Sequence, residues 1–242
     1  MEPAKPRIFV LVAGAWHGAW CWERLVPLLV ARGHRVLTPE LAGTGASDTD
    51  PASVSLESWA RGISDLCAVQ TEPVTLLGHS RGGIVISRAA ELEPRSIQRL
   101  VYLCAYLLPA GAQVAAEARI DPDSLVPANM LPSRSGITCT LRSEAVHDAF
   151  YSDCDPATVA WASARLSPEP LKPLITPMKC TPERFGRVPR AYIECTRDRT
   201  IGLAAQRRMQ AALPCDPVFT LDSAHSPFLS RAEELAALLD RL

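Results

Sequence analysis

Short uninterrupted apolar runs alternate along this chain with longer stretches in which apolar residues recur every third or fourth position. "RIFVLVA" (Arg7–Ala13) is the first such run and is closed by Gly14, the pattern of a buried strand. "CWERLVPLLVARG" follows with Trp22, Leu25, Val26, Leu29 and Val30 at helical spacing, and Gly33 stands where a helix would end. "HRVLTPEL" predicts a second strand, released into the polar stretch "AGTGASDTDPAS". "SLESWARGISDLCAVQ" predicts a helix capped by Ser55, with Glu57 or Ser58 in its first turn. Next come a strand ("PVTLLG"), a helix ("GIVISRAAELEP") and a strand ("IQRLVYLCAYLLP"). Near the end the alternation resumes with strand "PRAYIECT", helix "GLAAQRRMQAAL", strand "DPVFTLD" and helix "SRAEELAALLDRL". Such alternation packs as βαβ units, so the expected fold class is α/β, a mostly parallel sheet flanked by helices.

Between Ala110 and Gly186 the alternation stops. This segment is rich in proline and holds one clear helical patch, "PATVAWASARL". Phe150, Tyr151, Trp161 and many leucines in it need something to bury against, which argues against a disordered loop. The expectation is a cap inserted over one end of the sheet. That divides the chain into a core contributed by residues 1–109 and 187–242 and an inserted cap, 110–186.

Composition narrows the function. With 48% hydrophobic and 21% charged residues among 242, the chain can bury a sizeable core. A formal net charge of −1 and no block of like charges disfavour nucleic acid or an anionic membrane surface as partner. No apolar run approaches the roughly 18 residues of a membrane span. The N-terminal "MEPAKPRIFVLVAGAW" has something of a signal peptide, with Ala13-Gly14-Ala15 as a cleavage-like site. Its apolar stretch is at the short limit for one and is better used as the first strand, so a cytoplasmic protein is expected. Of the eight cysteines none forms a C-x-x-C pair or sits beside a histidine at metal-ligand spacing. They are expected to be structural thiols, with no zinc site.

The stretch "LLGHSRGG" places Ser80 between Gly78 and Gly82, after a predicted strand and before a predicted helix. G-x-S-x-G in that setting is a nucleophile elbow: the tight turn projects Oγ from the end of the sheet, and neighbouring side chains would collide with strand or helix. A serine hydroxyl needs a base, itself oriented by an acid, and on such a turn the partners follow in the order Ser, acid, His. Downstream histidines are His147, in the helix-like "SEAVHDAF" and expected at the surface, and His225, after the last strand, which is the candidate base. Asp198, on the loop leaving "AYIECT", is the candidate acid; Glu194 lies inside that strand and Asp222 is too near His225 in sequence. Two preorganised N–H donors complete such a site. They are assigned to the backbone of Arg81, after the nucleophile, and of Ala15, in the loop "AGAWHGAW" after the first strand.

These residues together resemble the α/β-hydrolases, in particular the branch containing plant methylesterases, hydroxynitrile lyases and bacterial esterases such as pyrethroid hydrolase. The resemblance rests on "FVLVAGAWHGAWCWERLVPLL", "GHSRGG", "FYSDCDPATVAWASARLSP", "AYIECTRDRTIGLAAQRRM" and "AHSPF" and covers nearly the whole chain. It implies a triad of Ser80, Asp198 and His225 and oxyanion donors Ala15 and Arg81. Two departures stand out. The branch usually has His-Gly where this chain has Ala13-Gly14, which removes a polar contact beneath the oxyanion loop. Its lyases carry a threonine in that loop and a lysine after the base, where this chain has Gly14 and Ser226, which favours ester hydrolysis.

The sequence therefore points to a cofactor-free serine carboxylesterase acting on a small to medium apolar or aromatic ester, with Trp16, Trp161, Leu166 and Phe228 as candidate lining. The Arg81 side chain either meets a carboxylate of the substrate or bonds to the cap. A lactonase, C–C hydrolase or hydroxynitrile lyase using the same residues is the nearest alternative; a non-catalytic small-ligand receptor on the fold is the more distant one. The expected partner is a small-molecule ester, and a homodimer is left open.

Overall fold

A computed structural model of the chain describes residues 6–242. Strands β1 (Ile8–Val12), β2 (Arg35–Leu37), β3 (Val74–His79) and β4 (Ile97–Leu103) alternate with helices α1 (Leu25–Ala31), α2 (Leu56–Ala68) and α3 (Gly82–Leu92). After them come α4 (Val114–Arg119), α5 (Val126–Asn129), β5 (Met130–Pro132), β6 (Thr138–Leu141), α6 (Ser143–Phe150), α7 (Pro156–Ser163), β7 (Glu169–Pro170) and α8 (Leu171–Leu174). Then follow β8 (Arg190–Cys195), α9 (Leu203–Ala212), β9 (Val218–Leu221), α10 (Pro227–Ser230) and α11 (Ala232–Asp240). Six strands form one parallel sheet in the order β2-β1-β3-β4-β8-β9, and β5-β6-β7 form a separate antiparallel sheet. This is the expected α/β architecture, with helices on both faces of the large sheet.

The period of two along each strand sorts side chains between two hydrophobic layers. Val10, Val12, Leu76, Leu100 and Tyr102 pack with α2, α3 and α9, whereas Phe9, Leu11, Leu77, Val101 and Leu103 pack with α1 and α11. Helix α1 is too short to persist alone, and Leu25 and Leu29, both fully buried, hold it. Each contributes about 1.5–3 kcal/mol by leaving water. Helix α2 starts as expected: Ser55 Oγ accepts from the Ser58 amide at 3.0 Å and the Ser55 amide donates to Ser58 Oγ at 2.9 Å. Gly33, at φ 85°, follows α1 in the left-handed region.

Two expectations are corrected. The run Ile97–Pro109 is a strand only to Leu103, because Cys104 turns the chain at φ 36°. The segment 110–186 holds far more than one helical patch, with two eight-residue helices, three shorter ones and the antiparallel sheet. Both hydrophobic layers extend into it, through Val114, Leu174 and Phe185 on one side and Val126, Cys139, Ala145 and Phe150 on the other. All eight cysteines are free thiols. No helix among the described residues is long and apolar enough to cross a membrane.

In this strand order β1 lies between β2 and β3, so the chain leaves β1 and β3 toward opposite sides of the sheet. The crevice that opens at their carboxyl ends is where such sheets bind ligands. The loop after β1 and the turn after β3 both end there.

Candidate active site

Ser80 sits at the apex between β3 and α3 with φ 53°, a left-handed conformation that costs a non-glycine residue about 1–3 kcal/mol. Its surroundings impose that turn. The Ser80 amide donates to the Leu103 carbonyl at 3.2 Å, and its own carbonyl accepts from Gly83 at 3.1 Å and Tyr106 at 3.0 Å. The three glycines around it are required by contact. A Cβ on Gly78 would lie 2.6 Å from the Gly82 backbone, one on Gly82 2.7 Å from the Val12 carbonyl, and one on Gly83 2.3 Å from the Tyr106 carbonyl.

Asp198 and His225 meet at the carboxyl edge of β8 and β9. His225 Nδ1 lies 2.7 Å from Asp198 Oδ2, both side chains being buried. The other carboxylate oxygen accepts from the amides of Thr200 at 2.7 Å and Ile201 at 2.9 Å. Those two bonds fix the carboxylate, which then keeps the proton of neutral His225 on Nδ1 and leaves Nε2 as the basic atom. His225 is held from the other side as well. His79 Nε2 donates to the His225 carbonyl at 2.8 Å, and burial together with the nearby His225 keeps His79 neutral, its pKa well below the ordinary value. No hydrogen bond joins Ser80 Oγ to His225 Nε2 among the described residues.

The rival residues are engaged elsewhere. Glu194 pairs with Arg207 at 2.8 Å and accepts from Thr220 at 3.0 Å. Asp222 is 79% exposed and pairs with Arg197, and His147 is an exposed neighbour of Asp148. His79, Cys104 and His225 bring ligand-type atoms within 4.8 Å of one another. Nevertheless His225 Nδ1 is taken by Asp198, and His79 Nε2 and Cys104 Sγ both point to the His225 carbonyl. His79 and Cys104 thus hold His225 in place, an arrangement ill-suited to a metal.

The loop after β1 is gripped from the segment 110–186. Trp16, at φ 63°, donates its amide to Glu169 Oε2 at 3.1 Å and its indole N–H to the Cys139 carbonyl at 3.1 Å. Its carbonyl accepts from the Ser167 amide at 2.9 Å. His17 Nδ1 donates to the Ala15 carbonyl at 2.8 Å, leaving Nε2 to accept from the Tyr151 hydroxyl, also at 2.8 Å. Burial pushes the His17 pKa down to about 3, so it is a neutral hydrogen-bonding strut. The amides of Ala15 and Arg81 have no acceptor among the described residues, and both residues line the same cavity as Ser80.

The Arg81 side chain is not available to a substrate carboxylate. It is 1% exposed, its Nε lies 2.9 Å from Glu169 Oε1, and Nη2 donates to the Gly14 carbonyl at 2.9 Å and to Glu169 Oε2 at 3.3 Å. Its guanidinium also sits 4.5 Å above the Trp59 ring. The Nε contact is an ion pair outside good hydrogen-bond geometry, and Nη1 has no acceptor among the described residues. Glu169 is fully buried, and desolvation raises its pKa against the pull of Arg81 and the Trp16 amide. Sequence reading missed Glu169; the one signal for it was that a guanidinium beside a buried elbow needs a counter-charge.

Beside Ser80 lies a cavity of about 150 Å³ with almost entirely apolar walls. Trp16 is the one expected lining residue found in it. The other three lie elsewhere. Phe228 is fully buried against Trp22 and His79, Trp161 packs edge-on to Trp20, and Leu166 lines a different groove on the far side of Trp16. The cavity wall is built instead from Val114, Ala118, Val126, Met130, Leu171 and Leu174, all from the segment 110–186, with Tyr106 and Thr200 from the core.

Residues 9–238 match the Alpha/beta hydrolase family. The chain is 31% identical over 236 residues to a pyrethroid hydrolase of Sphingobium wenxiniae, covering 94% of this chain and 84% of that one. It is 28% identical to a putative chloroplastic methylesterase of Arabidopsis thaliana over 99% of its own length but 57% of the relative's, so it spans little more than half of that protein. Among solved structures, a pyrethroid hydrolase from Sphingobium faniae superposes with a TM-score of 0.84 at 30% identity, covering 98% of this chain and 97% of that one.

Proposed function

The chain belongs to the alpha/beta hydrolase family, and we propose that it is a carboxylic ester hydrolase working through Ser80 and an acyl-enzyme. The observation that carries this reading is convergence: Ser80, at its strained φ, and the free amides of Ala15 and Arg81 front one apolar cavity. Behind Ser80 stands the buried His225–Asp198 pair. His225 Nε2 takes the Ser80 proton as Oγ adds to the ester carbonyl, and Asp198 stabilises the imidazolium that forms. The Ala15 and Arg81 amides receive the oxyanion. The imidazolium then returns the proton to the departing alcohol, and neutral His225 activates water to release the acid.

The cavity supports a reading of the substrate class. The almost wholly apolar lining beside Ser80 supports short aliphatic or aromatic, uncharged acyl groups. The names of its relatives, methylesterase and pyrethroid hydrolase, agree with an ester substrate. Ser226, buried directly after the base, supplies no ammonium to stabilise a departing cyanide, which favours hydrolysis over the lyase reaction.

Fluorophosphonate labelling followed by peptide mapping tests the nucleophile, and a panel of p-nitrophenyl esters tests the reaction. Labelling is expected at Ser80 alone, with Ser80→Ala and His225→Ala each lowering ester turnover by about 10³-fold or more in folded protein. An unlabelled Ser80, or cyanide release from mandelonitrile without ester turnover, would sink the proposal.

A further inference from the structure

We propose that Arg81 and Glu169 form the positioning unit of the oxyanion hole, with Arg81 supplying one donor through its backbone and aiming the other through its side chain. The inference rests on the esterase reading and gives the buried ion pair a role in it.

The Gly14 carbonyl and the Ala15 N–H belong to one planar trans peptide and point in opposite directions. Arg81 Nη2 holds that carbonyl at 2.9 Å, which turns the Ala15 N–H away from the guanidinium and leaves it free toward the cavity that both residues line. A cation on the carbonyl also polarises the peptide and strengthens its N–H as a donor. The next peptide is held as firmly, with the Ala15 carbonyl accepting from His17 and the Trp16 N–H committed to Glu169 Oε2. Glu169 therefore removes the Trp16 amide from competition and anchors the guanidinium that aims Ala15. Both carboxylate oxygens are within 3.3 Å of the Arg81 guanidinium, and neither residue has another charged partner among the described residues.

Stability alone does not account for such a pair. Two charges taken from water regain little more than their desolvation cost, and apolar replacements of similar volume are commonly neutral or stabilising. The left-handed backbone of Trp16, by contrast, needs outside support, and Glu169 on β7 is one of three groups in the segment 110–186 that provide it.

The test measures kcat and KM for p-nitrophenyl butyrate, inhibition by a trifluoromethyl ketone whose adduct places an oxyanion in the hole, and melting temperature. Glu169→Gln retains an acceptor for the Trp16 amide but loses the charge. It is expected to lower kcat by about 10-fold or more and weaken the ketone by a similar factor, with KM nearly unchanged. Arg81→Lys, which cannot bridge Glu169 and Gly14 at once, should show the same split. The double variant Arg81→Met with Glu169→Gln keeps the Arg81 amide, retains an acceptor for the Trp16 amide and leaves no buried charge unpaired, so it should melt closer to the wild type than either single variant yet stay slow. Recovery of full kcat in the double variant, or losses confined to KM, overturns the proposal. If the double variant does not fold, the two single variants decide by the same split. A wild type inert toward both ester and fluorophosphonate overturns the esterase reading together with this one, whereas an active wild type with unaffected variants overturns this one alone.

Discussion

At Gly83 the site depends on a missing atom. The Tyr106 carbonyl would come within 2.3 Å of any Cβ there, and the Gly83 amide is one of the bonds that hold Ser80 in its turn. Neither neighbour can yield easily, since both are backbone. Gly83→Ala is expected to cost about 2 kcal/mol or more and to lower ester turnover in whatever folded protein remains, read by urea denaturation and steady-state kinetics. An alanine variant as stable and active as the wild type would show that the elbow has slack. Ser80, Asp198 and His225 were legible in the sequence because each follows a predictable strand: Ser80 after β3, Asp198 after β8, His225 after β9. Glu169 was not, because it lies 88 residues from Arg81 in an unremarkable "SPEPL" and only the tertiary fold brings them together.

Among the elements, α2 was the most readable and is the best placed for improvement. Its capping box was written in Ser55 and Ser58, and its buried face in Leu56, Trp59, Ala60, Ile63 and Cys67. Gly62 lies on the exposed side with open space where a Cβ would be. Gly62→Ala should therefore stabilise by about 0.5–1 kcal/mol, since glycine loses more backbone freedom in a helix. Calorimetry would register a rise of about 1–4 °C, and a fall would mean that α2 owes something to this glycine that its packing does not reveal. Elements of the segment 110–186 were hidden for a different reason. β5, β6 and β7 have three, four and two residues, too few for a period of two to emerge. The apolar run through Cys104 misled in another way, because residues 104–108 leave the strand but stay buried under the elbow, and burial alone kept the run apolar.

Over the whole molecule, two buried neutral imidazoles tie stability to pH. Burial holds the His17 pKa down to about 3 and that of His79 well below its ordinary value. Unfolding restores both to about 6.5, so between these limits the unfolded chain binds more protons than the folded one. Their contribution is complete above about pH 6.5 and is lost as pH falls toward about 3, each imidazole removing up to about 1.4 kcal/mol per pH unit. The urea midpoint is expected to drop between pH 7 and pH 5 with proton uptake on unfolding; a flat midpoint without uptake would mean that the two rings are not held neutral. The parallel sheet and its two layers followed from the alternation of runs, whereas the covering of the cavity depended on contacts between residues far apart in the chain. That covering also limits engineering. The segment that forms most of the cavity wall brings Cys139, Ser167 and Glu169 to Trp16, and Glu169 to Arg81. On the proposed esterase reading, a chimera that grafted the corresponding segment of a relative would exchange the substrate's mould and the clasp on the reacting centre in one cut. Selectivity and turnover are therefore inherited together unless the graft restores a carboxylate opposite Arg81.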